Sequence, residues 1–239
     1  MIDTIVIAAA GRGVRMKHLS DEQPKHLIHV AGKPFLHFLL KLVDQVGFRH
    51  IIVVAGYYAD IMKKFLDSEP YDITMVNQSE REPNHYGTAM VVKAVEPELK
   101  GRPFVLINGD SLYTPEVLRS IREDDGFSHI VGTYHEDPTH YGVLDMGKDA
   151  FLKGIIEKPR EPVSNLINLG VYVFQPEVFD VVRNVHESPR GEYEIVDAVN
   201  MMAADGKIKV QRMAGEWVDF GKPEDIPEVE RFLINNKLV

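Results

Sequence analysis

Hydrophobic residues fall along this chain in two alternating textures. Short apolar runs with little polar interruption, at residues 5–8, 50–55, 73–76 and 104–107, read as strands covered on both faces. Between them the apolar positions recur at helical spacing. In 34–46 these are Phe35, Phe38, Leu39, Leu42, Val43 and Val46, with Pro34 at the first position and Gly47 just past the end. Residues 59–66, 87–95 and 115–121 read as helices in the same way, and 130–134 as a further strand. Strands alternating with helices predict parallel βαβ units, hence an α/β chain with a Rossmann-like, doubly wound sheet. After Asp137 the pattern changes to short β-like runs at 141–146, 151–157 and 169–174, which predict a mixed sheet and a small β-rich lid. Helices are expected at 177–183 and 194–204, a strand at 208–212 and a closing helix at 223–235. With no repeat, low-complexity tract or linker-like run, 1–239 reads as one domain in two halves, 1–136 and 137–239.

At 239 residues and 44% hydrophobic content the chain can bury a substantial core. The absence of Cys excludes disulfides, thiolate metal sites and a Cys nucleophile, and fits a reducing compartment. No leader-like stretch and no apolar run of bilayer length is evident, so a cytoplasmic location is expected. A formal net charge of -9 argues against nucleic acid or an anionic membrane as partner, so any phosphate ligand must be held by local cations. Ten His residues lie scattered without metal-ligand spacing and read as surface or packing residues.

The first strand ends abruptly in Ala9, Ala10 and Gly11; Gly13 follows, then Arg15, Lys17 and Pro24-Lys25. Small residues let backbone N–H groups approach phosphate oxygens, and the cations add charge, a combination suited to a polyphosphate. A tight turn that needs glycine for geometry alone is the alternative. Two better-known glycine loops fail here. The dinucleotide fingerprint needs a third glycine where Met16 stands, and the Walker loop needs Ser or Thr where Gly32-Lys33 is followed by Pro34. In an open sheet ligands bind at the carboxyl ends of strands, where the loops after Ala8, Val76 and Ile107 would converge. The last of these carries Asp110, a carboxylate that can cap a turn or hold a metal.

Gly11-x-Gly13-x-Arg15 with Pro24-Lys25 resembles the signature of the sugar-1-phosphate nucleotidylyltransferases, or NDP-sugar pyrophosphorylases. The departure is Met16-Lys17-His18-Leu19-Ser20, in place of the family's Leu-x-Pro-Leu-Thr. The resemblance continues in order through Gln78, Gly87-Thr88-Ala89, Gly109-Asp110, Tyr141-Gly142, Glu157-Lys158-Pro159, Asn168-Leu169-Gly170, Gly191-Glu192-Tyr193-Glu194-Ile195-Val196-Asp197 and Trp217-Val218-Asp219-Phe220-Gly221. Each motif alone is weak; jointly and in this order they are specific.

The resemblance implies a nucleotide-binding first half and a sugar-binding second half, without the hexapeptide-repeat solenoid that some members carry. Ala9, Ala10, Gly11 and Gly13 would wrap an NTP, with Arg15 and Lys25 steadying the departing pyrophosphate. Gln78, Gly87 and Thr88 would read the base, which favours UTP or dTTP and leaves GTP open. Gly142, Glu157, Asn168, Gly170 and Glu192 would hold the sugar, glucose first and mannose as the alternative, and Lys158 its phosphate. Asp110 and Asp219 would bind Mg²⁺. Homo-oligomerisation stays open. Competing readings are a GT-A glycosyltransferase, which usually presents Asp-x-Asp where this chain has Asp110-Ser111-Leu112, and a non-catalytic sugar-nucleotide-binding subunit, against which the full set Arg15, Lys25, Asp110, Lys158 and Asp219 argues.

Overall fold

The computed structural model describes residues 1–213 and 215–239. In chain order the elements begin with β1 (Thr4–Ala9), 3-10 segments at Val14–Ser20 and Lys25–Leu27, β2 (His29–Val30), β3 (Lys33–Pro34) and α1 (Phe35–Gln45). Next come β4 (His50–Ala55), α2 (Ala59–Leu66), β5 (Ile73–Asn77), α3 (Gln78–Arg81), α4 (Thr88–Ala94) and α5 (Glu96–Leu99). β6 (Phe104–Asn108), β7 (Ser111–Tyr113), α6 (Pro115–Ser120), β8 (Ser128–Tyr134), β9 (Gly142–Met146) and β10 (Leu152–Glu157) follow. The chain continues with β11 (Leu166–Phe174), α7 (Val178–Val182), α8 (Ile195–Ala204), β12 (Ile208–Arg212), β13 (Trp217–Asp219) and α9 (Ile226–Asn235).

These elements form two compact units interleaved in sequence. One comprises Asp3–Pro83, Ile107–Arg122 and Gly215–Val239. Its sheet is parallel: β1 pairs β4 from Thr4↔His50 to Ala9↔Ala55, and β4 pairs β5 from Ile51↔Ile73 to Ala55↔Asn77. The uninterrupted apolar runs in β1 and β4 have their cause here, since Ile5, Val6, Ile7, Val53 and Val54 are all fully buried. α1 buries seven of its residues, among them Phe35, Leu39 and Val43, so its helical period is the period of its contact with the core.

The other unit comprises Met1–Ile2, Asn84–Leu106 and Glu123–Ala214. There β10 pairs β9 and β9 pairs β11, both antiparallel; β11 also pairs β8 antiparallel, and β8 pairs β12 in parallel. The change of texture after Asp137 is thus a change from parallel to antiparallel pairing. It starts earlier than the pattern implied, because β8 itself already runs antiparallel to β11. One of the chain's passages from unit to unit falls within β6, between Leu106 and Ile107.

Several elements differ from the sequence reading. Residues 78–81, expected as loop, form the helical turn α3, and the closing helix begins at Ile226 after a 3-10 turn over Pro223–Asp225. β11 starts at Leu166 rather than 169 because Leu166 and Ile167 already pair with Tyr134 and Thr133. The three-residue strands β7 and β13 carried no readable period.

Candidate active site

In the unit that carries β1, the strand delivers its chain into the glycine loop at Ala9 and Ala10. Gly13 is left-handed, with φ at 65°, and a Cβ there would stand 2.7 Å from the Cβ of Lys25. The loop therefore packs directly on Lys25, and both backbone conformation and space demand glycine at that point. Ser20 closes the following 3-10 turn by donating to the Gly13 carbonyl at 3.0 Å. The Arg15 guanidinium is exposed, carries no ion pair among the described residues, and lies 3.4 Å from where a Cβ on Gly221 would be. Cation and glycine loop thus meet the Asp219–Gly221 segment.

Lys25 Nζ donates to Asp110 Oδ2 in a short, half-buried ion pair. Burial pushes the Asp110 carboxyl up, but the charge and hydrogen bond of Lys25 outweigh it and hold the group below its ordinary value. Beneath them lies His26, 1% exposed, whose Nδ1 has no hydrogen-bond partner. Burial first, and the Lys25 charge second, push its imidazole down to about 3, so it is neutral at physiological pH.

Asp219 reaches the same strand end by a separate route. β13 pairs β7 antiparallel, with Asp219 opposite Ser111, so the residue after Asp110 faces the second carboxylate. Ser111 Oγ donates to Asp219 Oδ1 at 2.8 Å, and the Phe220 amide donates to the Asp110 carbonyl at 2.7 Å. Phe220 is fully buried and stacks on Phe35 with ring centroids 4.6 Å apart, which anchors the segment to the start of α1. Desolvation by the surrounding protein pushes the Asp219 carboxyl up; the Ser111 hydrogen bond works against this and the Asp110 charge adds to it.

The second unit carries the remaining candidate residues. Gly87 has φ at 120°, and a Cβ there would meet the Tyr193 carbonyl oxygen at 2.3 Å. Around it, Ala89 N donates to Tyr193 O at 2.9 Å and Tyr193 N to Tyr86 O at 2.7 Å. Thr88, at the start of α4, does not cap its own helix. Its hydroxyl oxygen accepts from Ile195 N at 2.9 Å and satisfies the first turn of α8.

Glu157 ends β10, where it pairs with Gly142, and the amide of the next residue, Lys158, donates to Tyr141 O at 3.0 Å. A Cβ on Gly142 would lie 2.8 Å from Glu157 Oε1, so the two predicted residues touch. Partial burial raises the Glu157 carboxyl above its ordinary value, against the charges of Lys158 and Arg190. Asn168 accepts from Gly170 N at 2.9 Å and donates to the Tyr172 hydroxyl at 2.8 Å. Glu157 and Lys158 open onto a cavity of about 600 Å³ walled by residues 184–190, Glu194 and Asp197. Within that wall Arg190 donates to Glu194 at 2.8 Å.

The structure therefore brings Lys25 to Asp110, Arg15 to Gly221, Ser111 to Asp219 and Gly142 to Glu157. Gln78 is buried, 4% exposed, in the first unit, whereas Gly87 and Thr88 belong to the second. Glu192 contributes its backbone carbonyl, which accepts from Ser188 N at 2.8 Å; its side chain is exposed and is absent from the cavity wall. His26 and Ser111 escaped the sequence reading. The signal available for both was position, one next to Lys25 and one next to Asp110.

Asp110 and Asp219 supply oxygen donors alone, and the pressure of one carboxylate on the other is of the kind a cation relieves. The donor set thus fits Mg²⁺, which takes few protein oxygens and fills its remaining positions with water and phosphate. Among the described residues no group of three or more His, Cys, Asp or Glu side chains gathers into a larger metal cluster, and no helix is long and apolar enough to cross a membrane.

A family model described as nucleotidyl transferase matches residues 4–236. A UTP–glucose-1-phosphate uridylyltransferase of Haloferax volcanii, AglF, is 34% identical over 235 residues, covering 95% of each chain. A bifunctional sugar-1-phosphate nucleotidylyltransferase/acetyltransferase of Sulfurisphaera tokodaii is 30% identical across 96% of this chain, which spans 55% of that relative's length. Among solved structures, a UDP-glucose pyrophosphorylase complexed with UDP-glucose superposes with a TM-score of 0.85 at 21% identity, over 98% of this chain and 99% of the other. A UDP-glucose pyrophosphorylase from Acinetobacter baumanii gives 0.78 at 20% identity, over 98% and 93%. These two likenesses concern the fold.

Proposed function

The chain belongs to the nucleotidyl transferase family, and from that premise we propose that it makes an NDP-sugar and pyrophosphate from an NTP and a hexose 1-phosphate. UTP or dTTP is the preferred nucleotide in this reading and glucose 1-phosphate the preferred sugar. The observation that carries it is the pair of cations at a glycine loop, Arg15 without an ion pair among the described residues and Lys25 paired with Asp110, in the same compact unit as both carboxylates.

In the reaction a phosphate oxygen of the sugar 1-phosphate attacks the α-phosphorus, and the bond from that phosphorus to the β-phosphate's bridging oxygen breaks. No general base is needed, since a phosphate monoester with a second pKa of about 6 is already largely dianionic at neutral pH. The barrier lies in bringing two anions together, so positioning and charge neutralisation do the catalysis. Arg15 and Lys25 hold the triphosphate and receive the charge that develops on the pyrophosphate. Lys158, whose ammonium has no ion pair among the described residues, holds the phosphate of the sugar. Glu157 and Asn168 orient sugar hydroxyls. Asp110 and Asp219 are the residues that would hold Mg²⁺, which when bound supplies charge neutralisation to the phosphates.

The amide of Gln78 offers both donors and an acceptor, the pattern that pairs with the imide edge of uracil or thymine. A buried amide left without its partner costs about 1–3 kcal/mol, enough for at least tenfold discrimination against a purine. The test is a pyrophosphate-release screen of UTP, dTTP, CTP, ATP and GTP against a panel of hexose 1-phosphates with Mg²⁺. Highest kcat/KM for UTP or dTTP is expected. A clear preference for GTP or ATP would overturn the assignment of the base, and no pyrophosphate with any pair would overturn the reaction.

A further inference from the structure

Strand β10 lies at the edge of its sheet, with β9 on one side, so alternate backbone groups on its other side need partners from elsewhere. At Ile155 both groups meet one side chain. The Ile155 amide donates to Asn200 Oδ1 at 2.7 Å, and Asn200 Nδ2 donates to the Ile155 carbonyl at 3.3 Å. A carboxamide thus takes the place of a neighbouring strand at a single position. The position is two residues before Glu157 and three before Lys158, the pair that opens onto the cavity.

The end of β10 is a place where such support matters. Lys158 adopts φ at 43°, a left-handed conformation that a lysine keeps only when its surroundings determine it. Upstream, the pairing with β9 is irregular between Leu152 and Gly154, so the register is reset immediately before Ile155. At the end of the strand Ile155, Ile156 and Glu157 lie opposite Leu144, Val143 and Gly142 of β9, the amide of Lys158 just past it donates to the Tyr141 carbonyl, and Asn200 holds Ile155 from the open edge. Asn200 reaches the strand from a helix, α8.

Asn200 is itself firmly held. It sits in α8, whose first amide is bound by the Thr88 hydroxyl and whose Ala198, Val199 and Met202 are fully buried. The residue has no charge and is half-buried. A packing role alone would be met by an apolar side chain; two matched hydrogen bonds to one strand residue are the signature of register control.

We propose that Asn200 is a positioning residue that clamps the end of β10, and through it sets Glu157 and Lys158 for the sugar 1-phosphate. The inference rests on the reading of these two residues given under Proposed function. Displacement of a substrate-holding group by about 1 Å can cost up to ~10²-fold. A loss of roughly tenfold in kcat/KM for the sugar phosphate is expected on removing the clamp.

The experiment compares wild type with Asn200→Ala, which removes both bonds, and Asn200→Asp, which keeps an acceptor for the shorter one. Expected for Asn200→Ala is a higher KM for glucose 1-phosphate or a lower kcat, with the KM for the NTP within about twofold, since a directional loss marks positioning rather than general loosening. Asn200→Asp should fall between the two. In parallel, amide hydrogen exchange should quicken at 155–158 in the variants and not in β11. Equal loss toward both substrates, unchanged kinetics, Asn200→Asp no better than Asn200→Ala, or unchanged exchange at 155–158 would each overturn the proposal. Should Asn200→Ala fail to fold, Asn200→Asp carries the same comparisons. A wild-type chain that releases no pyrophosphate would defeat the proposed reaction instead, and the exchange measurement then decides whether Asn200 holds β10.

Discussion

Among single residues, Lys25 carries the most consequence, because it is packed under Gly13, paired with Asp110 and adjacent to the buried His26. If Lys25 meets the triphosphate as proposed, its removal compares with deleting one preorganised donor, so Lys25→Ala should lower kcat by roughly 10²–10³. Unchanged turnover in a folded variant would remove Lys25 from the mechanism. His26 gives a prediction about pH. Its folded-state pKa is depressed from 6.5 to about 3, so between those values the unfolded chain binds a proton that the folded one refuses. Stability from the neutral imidazole is therefore fully present above pH 6.5 and is lost as the pH falls toward 3, at up to about 1.4 kcal/mol per pH unit. Urea unfolding from pH 7.5 to 4.5 should show a shallower acid-side slope in His26→Leu than in wild type. Equal slopes would show that His26 takes up its proton without unfolding cost.

At the scale of elements, long apolar periods were legible and short pairings were not. β1, β4, α1 and α8 appear close to where their hydrophobic pattern puts them, because each buries a continuous face. β7 and β13 have three residues each, too few for a period, and their pairing depends on Phe220 stacking on Phe35 from far along the chain. Asp110 and Asp219 were recognisable as candidates from the family pattern, but the Ser111 hydrogen bond that fixes one against the other was not. Thr88 is a further instance: a Thr before an apolar run reads as a cap for the run that follows, whereas its hydroxyl serves α8. Thr88→Val keeps the shape and deletes the acceptor, leaving the Ile195 amide without its partner, at a cost of about 1 kcal/mol. Thermal unfolding should show that loss, and Thr88→Ser should recover it. A valine variant as stable as wild type would mean that water replaces the hydroxyl.

For the molecule as a whole, a net charge of -9 makes phosphate binding a local achievement. Two carboxylates stand at the candidate site, and Lys25 is paired with only one of them, Asp110. Ser111 and Asp219 are 108 residues apart in sequence yet joined by a 2.8 Å hydrogen bond, so the pair exists only once β13 has docked on β7. If Asp110 and Asp219 act through one Mg²⁺, Asp110→Asn and Asp219→Asn should each nearly abolish turnover while leaving the fold intact. The double variant should be little worse than either single one, because residues acting through one ion are not additive. Measuring kcat against Mg²⁺ concentration for all three variants separates the cases. A shared ion raises the Mg²⁺ requirement in both single variants, whereas additive losses, or a wild-type Mg²⁺ requirement in Asp219→Asn, would show that the two carboxylates serve different ends.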